Sequence, residues 1–217
     1  GETWYQVAPT IRYNLTGSLP RGCTGKDVFL YIAGVYGDAT GHSVEFGGEG
    51  VASLTIPQRQ SIATMCAEIN AEFAIFPCDA RLESFLKARG DRELHPVDPD
   101  PDAVYAHVRE IDLSRLVPYV AKPHFIPGNC VPVAEVEGLP VNQVVLGSCS
   151  NGRIEDLQIA AGMVKGRHVA PGVRFIVTPA SQRIYLQSVR LGLVETLVEA
   201  GAVVTNATCG CCYGGHM

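Results

Sequence analysis

Short apolar, β-branched runs alternate with stretches of helical spacing along most of the chain, and this alternation narrows the fold more than any other feature. A repeating strand–helix order argues for parallel sheets covered by helices, the α/β class, here as two αβα units. The second half carries the pattern most cleanly. Residues 143–146, 173–177 and 202–205 read as strands. Helices are expected over 155–164, after Ser181, and over 193–200 with Gly201 as the stop. Glu155 and Asp156 fall in a first helical turn, where the dipole favours anions. In the first half, 11–15 reads as a strand, and Thr24 with Asp27 opens a helix over 26–34 in a near capping box. Pro57 suits the first turn of a helix running to 71, with Ile62, Met65, Cys66 and Ile69 as its apolar stripe. A short strand over 73–76, a helix over 80–88 ended by Gly90, and a strand over 109–113 complete the reading. Residues 96–101, Pro-Val-Asp-Pro-Asp-Pro, make a surface loop. The proline-bearing stretch 118–132 is the expected boundary, giving α/β units over 1–124 and 130–217.

Composition excludes several classes. With 47% apolar and 18% charged residues over 217 positions, the chain is globular and long enough to bury a sizeable core. A net charge of −5 without long single-sign blocks gives no electrostatic case for nucleic acid or an anionic membrane. No apolar run reaches the ~20 residues of a membrane helix, and the first residues lack the pattern of a signal peptide. Eight cysteines in a chain of this length point to a reducing, cytoplasmic setting. The chain starts at Gly1 without Met and stops shortly after a cysteine motif, so it is expected to be a fragment of a longer protein.

Three cysteines carry the chemistry. Cys149 stands in Gly-Ser-Cys-Ser-Asn-Gly, and Cys209 and Cys212 in Thr-Cys-Gly-Cys-Cys-Tyr-Gly, each just past an apolar run. Ligands of open parallel sheets bind outside the carboxyl ends of the strands. The loops bearing Cys149, Ser181 and the Cys209/Cys212 pair should therefore emerge on one edge. Thiolates are the soft ligands of iron–sulfur clusters. Three of them on a four-iron cluster leave one iron as a Lewis acid for a substrate hydroxyl and carboxylate. Taken alone, the same residues also suit a zinc site completed by His216, or a redox pair. Cys23, Cys66, Cys78 and Cys130 are scattered and read as core or incidental thiols, and Cys211 should point away from its neighbour.

The two cysteine segments, with Arg153-Ile154-Glu155-Asp156 after the first, resemble the cluster-binding signatures of the aconitase superfamily. Supporting stretches match too: Thr24-Gly25-Lys26-Asp27-Val28, Val44-Glu45-Phe46-Gly47-Gly48, Met65-Cys66-Ala67-Glu68-Ile69-Asn70-Ala71, Ile176-Val177-Thr178-Pro179-Ala180-Ser181 and Glu199-Ala200-Gly201-Ala202. Asn151-Gly152-Arg153 is nearer to the 3-isopropylmalate dehydratase and homoaconitase branch than to aconitase proper. The resemblance implies a hydro-lyase that isomerises a hydroxy di- or tricarboxylic acid by removing and re-adding water. It implies a [4Fe-4S] cluster on Cys149, Cys209 and Cys212, and a small subunit or swivel domain as partner. It places Glu68 in the active-site network, and makes Arg153 and Ser181 candidate substrate contacts. A surface arginine at a helix start and a plain helix cap remain alternative readings of those two, and plain solvent exposure remains one for Glu68, which lies off the apolar stripe. The units correspond to the family's second and third domains, the third cut short. Two departures stand out: Cys211 where the family has Pro, and Thr64 where it has Asn. The upstream His and Asp-His segment, the downstream Asn-Arg segment and the swivel part are not in this sequence, so no catalysis is expected from it alone. Alternatives are homoaconitase, aconitase or 2,3-dimethylmalate dehydratase, and, from another class, a non-catalytic zinc- or RNA-binding module.

Overall fold

Residues 10–16 alternate between apolar and polar side chains, and the strand they form buries one set and leaves the other at the surface. The computed structural model describes residues 4–90 and 93–213 and divides the chain into two compact units, Gly1–Glu137 and Gly138–Met217. The elements of the first are strand β1 (Thr10–Thr16), helix α1 (Gly25–Val35), β2 (Ser43–Gly47), α2 (Ile56–Met65), β3 (Ala74–Ile75), α3 (Ala80–Lys87), β4 (His107–Asp112), β5 (Tyr119–Ala121) and β6 (Cys130–Pro132). Its main sheet has the order β3-β2-β1-β4 with every pair parallel. Ile11, Tyr13 and Leu15 of β1 meet Val44 and Phe46 of β2 and Val28, Phe29 and Ile32 of α1 in one core. The opposite face of β1 is polar. Arg12 pairs with Glu45 and donates to Asn14, whose amide donates to Glu110 at 2.8 Å.

The expected boundary at 118–132 is not where the chain divides. Residues 119–121 and 130–132 pair as an antiparallel ladder and belong to the first unit. Asp27 is the reason. One carboxylate oxygen accepts from the Thr24 N–H at 2.7 Å, completing the cap of α1, and the other accepts from the Tyr119 N–H at 2.9 Å. Gly34 helps, since a Cβ there would meet the Cys130 carbonyl oxygen at 2.6 Å. The expected helix over 57–71 is shorter too. α2 ends at Met65 and passes into a 3₁₀ turn, Cys66–Ile69, closed by Asn70 in the left-handed region at φ 61°, a conformation Asn tolerates.

The second unit runs β7 (Gln143–Gly147), α4 (Ile154–Val164), β8 (Arg174–Thr178), α5 (Gln182–Arg190), α6 (Leu193–Glu199) and β9 (Ala202–Val204). Its sheet has the order β7-β8-β9, all parallel. Leu157 and Ala161 of α4 and Leu197 of α6 pack on Phe175, Val177 and Ala202. In register, Gly147 lies opposite Thr178, and Val177 opposite Val204. The carboxyl ends of the three strands therefore lie side by side, and the loops that follow leave from one edge. Among the described residues no helix is long and apolar enough to cross a membrane.

Candidate functional site

The buried carboxyl end of β8 is the platform on which the second unit's cysteine loops sit. Thr178 is fully buried, and its hydroxyl shares a 2.8 Å hydrogen bond with that of Thr205, just beyond β9. Its carbonyl accepts from the Ser148 N–H at 3.0 Å. That contact reverses the chain after β7 and requires positive φ at two successive residues, 114° at Gly147 and 89° at Ser148. Gly147 is suited to it, whereas Ser148 holds a conformation costing a non-glycine residue of order 1–3 kcal/mol. The Ser148 carbonyl then accepts from the Gly152 N–H at 2.9 Å, and the Gly152 carbonyl from the Ala180 N–H at 2.8 Å. A Cβ on Gly152 would collide with Thr178 and Ala180, so the loop bearing Cys149 is laced to the chain after β8.

The other cysteine loop comes down on the same spot. A Cβ on Gly210 would lie 3.3 Å from Cβ of Ser148 and 3.5 Å from Oγ1 of Thr178. The Gly210 N–H donates to the Thr208 hydroxyl at 2.9 Å, opening a 3₁₀ turn over Gly210–Tyr213. Sγ of Cys212 lies 3.8 Å from Oγ of Ser148. Cys149, Cys209, Cys211 and Cys212 are free and exposed.

Arg153 sits at the start of α4, where its N–H donates to the Asp156 carboxylate at 3.0 Å. Its Nε turns back to the Ser150 carbonyl at 3.1 Å, bracing the cysteine loop. Burial lowers its pKa, while the charges of Asp156, Cys149 and Glu155 act the other way. Ser181 caps α5, its hydroxyl accepting from the Ile184 N–H at 3.2 Å. Glu68 lies exposed on the 3₁₀ turn after α2, in the other unit. Cys23, Cys66 and Cys130 are buried and Cys78 is half-buried. His216, invoked for a zinc site, lies outside the described residues.

The structure thus brings the two cysteine segments together on one edge. Among the described residues, no three His, Cys, Asp or Glu side chains are gathered closely enough to hold a metal ion. The donor set still fits an iron–sulfur cluster: three exposed thiols, soft ligands, on loops meeting over a buried threonine. The sequence reading named the thiols but missed the residues that seat them, Ser148, Thr178, Thr205 and Gly210. Gly210 between cysteines was the available signal, because glycine there permits close approach.

The model of the aconitase family (aconitate hydratase) matches residues 1–217. The chain is 53% identical over its whole length to the 3-isopropylmalate dehydratase large subunit of Mycolicibacterium smegmatis, covering 51% of that protein. It is 46% identical to large subunit 2 of the same enzyme from Rubrobacter xylanophilus, with 51% covered. It is 43% identical to large subunit 1 from Methanopyrus kandleri, with 52% covered. The chain spans about half the length of the curated relatives it matches.

Proposed function

Because the chain belongs to the aconitase family, we propose that it supplies the cluster-holding half of a hydro-lyase large subunit of the 3-isopropylmalate dehydratase type. The reaction is the interconversion of 2- and 3-isopropylmalate by loss and re-addition of water, carried out by the intact enzyme with a small-subunit partner. Support for the substrate and partner comes from relatives at 43–53% identity named as large subunits of that enzyme. The observation that carries the site is the meeting of the Cys149 loop and the Cys209–Cys212 turn over Thr178.

In this reading Cys149, Cys209 and Cys212 hold a [4Fe-4S] cluster. When bound, the cluster supplies a Lewis-acidic iron without a thiolate, for the substrate's hydroxyl and carboxylate. The chain's own residues do the rest. Arg153, charged and half-buried beside the Cys149 loop, offsets the negative charge of the thiolates and presents a guanidinium to a substrate carboxylate. Ser181, whose oxygen already accepts a helix N–H, has its hydroxyl hydrogen to donate to an anionic oxygen. Glu68 is an exposed carboxylate able to carry a proton. The two units correspond to the family's second domain and part of its third.

The test is iron and acid-labile sulfide per chain after anaerobic reconstitution, with Cys149→Ala, Cys209→Ala and Cys212→Ala in parallel. Matched iron and sulfide, lost in each variant, is the expected result. Zinc alone, or metal uptake indifferent to the three substitutions, would sink the reading.

A further inference from the structure

Ser148 is a polar residue, 5% exposed, whose backbone is fully occupied. Its N–H goes to Thr178 and its carbonyl receives Gly152. Its φ of 89° is one that glycine would adopt freely. The backbone gains nothing from a serine here, so the reason for the side chain lies in what the side chain touches. Among the described residues, the hydrogen-bond partner of that hydroxyl is Sγ of Cys212, at 3.8 Å. The contact is braced from both sides. Gly210 lies against Cβ of Ser148 and Oγ1 of Thr178, so the turn carrying Cys212 rests on this serine.

We propose that Ser148 is a positioning residue for the cluster: its hydroxyl is the hydrogen-bond donor to the Cys212 thiolate. The inference rests on the assignment of Cys212 as a ligand. In the free thiol the Cys212 S–H is the donor and the serine oxygen accepts. A sulfur that ligates iron carries no proton and has only lone pairs to offer, so against such a sulfur Ser148 is the donor. A hydrogen bond to a ligating sulfur withdraws charge from it, which favours the reduced, more negative state of a cluster. It also holds the sulfur in one orientation, so that the iron–sulfur bond breaks less often.

Two substitutions separate the hydroxyl from the backbone. Ser148→Ala removes the hydroxyl and keeps the unfavourable φ. Ser148→Gly removes the hydroxyl and relieves that φ, so it folds at least as stably as the wild type. Both are reconstituted anaerobically as the full chain beside the wild type. Iron and labile sulfide, the reduction potential followed by EPR, and the rate of iron loss in air are then measured. Both variants are expected to take up iron and sulfide, to shift to a more negative potential, and to lose iron faster by roughly five-fold, as for one ordinary hydrogen bond. Unchanged potential and loss rate in both variants overturn the proposal while leaving the three-cysteine reading intact. A change in Ser148→Gly alone overturns it too, since the released backbone, and not the lost hydroxyl, would then be the cause. Failure of the wild type to take up iron and sulfide removes the cluster reading and this proposal with it.

Discussion

The Ser148 N–H and the Thr178 carbonyl meet at 3.0 Å, and this bond fastens the Cys149 loop to the end of the central strand of its sheet. It forms only because Gly147 turns the chain at φ 114° with its α-carbon against that same carbonyl. Gly147→Ala is therefore expected to destabilise the second unit by at least about 3 kcal/mol, from left-handed strain and the clash together. Gly166→Ala is the control: φ there is 70° but no atom lies within 4 Å of the added methyl, so strain alone should cost about 1–2 kcal/mol. Urea unfolding of both variants checks this, and equal losses would mean that the Thr178 contact does not matter.

The strands that deliver the cysteines were legible because β7, β8 and β9 each contain an uninterrupted apolar run, Val144-Val145-Leu146, Phe175-Ile176-Val177 and Ala202-Val203-Val204. Once such runs are parallel neighbours, their loops must share an edge. The strand Ser43–Gly47 was not legible as one. It has two apolar side chains, Val44 and Phe46, and its partner β1 is far away in sequence. The β5–β6 ladder was hidden behind prolines that read as a boundary, and the Asp27–Tyr119 tether is a contact across 92 positions. Ser148 was invisible as a functional residue for a related reason. Positive φ at a non-glycine residue is imposed by tertiary contacts, here Thr178 and Gly210, and leaves no local pattern.

Arg59 and Asp79 hold α2 to the start of α3. The guanidinium of Arg59, 3% exposed, donates twice to the carboxylate, at 2.9 and 2.6 Å, and once to the Val51 carbonyl at 2.9 Å. The same carboxylate caps α3 through the Leu82 N–H at 3.0 Å. Asp79→Ala removes the cap and strands a buried charge, so about 3 kcal/mol of stability should be lost. The hydrogen bonds from Arg59 hold the Asp79 pKa below its ordinary value, followed by the Leu82 N–H and the charge of Arg59, against burial. A depressed carboxylate stabilises the fold above the unfolded pKa, and that contribution disappears as pH falls through the folded one. Wild-type stability should therefore decline below about pH 4 more steeply than that of Asp79→Asn. Parallel acid titrations of the two proteins would refute the pairing.

Tyr13 and Cys66 set a limit at the alkaline end. Burial pushes the Tyr13 phenol up to about 12, although Arg109 donates to its hydroxyl at 2.6 Å and pulls the other way. Burial likewise pushes the Cys66 thiol up to about 12. Both groups are neutral in the fold and titrate lower when unfolded, so their contribution is complete below about pH 8.5 and is lost as pH rises towards 12. Thermal unfolding between pH 8 and 11 should show a falling midpoint, and Tyr13→Phe should flatten the fall. A midpoint independent of pH across that window would count against a buried phenol in this core.

The proposed ligand set leaves Cys211 out, although it is as exposed as its neighbours. The Cys212 N–H approaches the Cys209 carbonyl at 3.4 Å, which closes a 3₁₀ turn. In that geometry residues three apart eclipse, so Cys209 and Cys212 share a face and Cys211 is about a third of a turn away. In the metal-free chain an alkylating reagent should label Cys149, Cys209, Cys211 and Cys212, all exposed, and spare the buried Cys23, Cys66 and Cys130. After anaerobic reconstitution Cys149, Cys209 and Cys212 should be protected while Cys211 still reacts, and Cys211→Ala should leave iron and sulfide unchanged. Protection of Cys211 equal to that of Cys212 would make it a ligand and overturn the assignment. The site would then be full on all four corners, and a cluster so held has no open iron for a hydroxy acid.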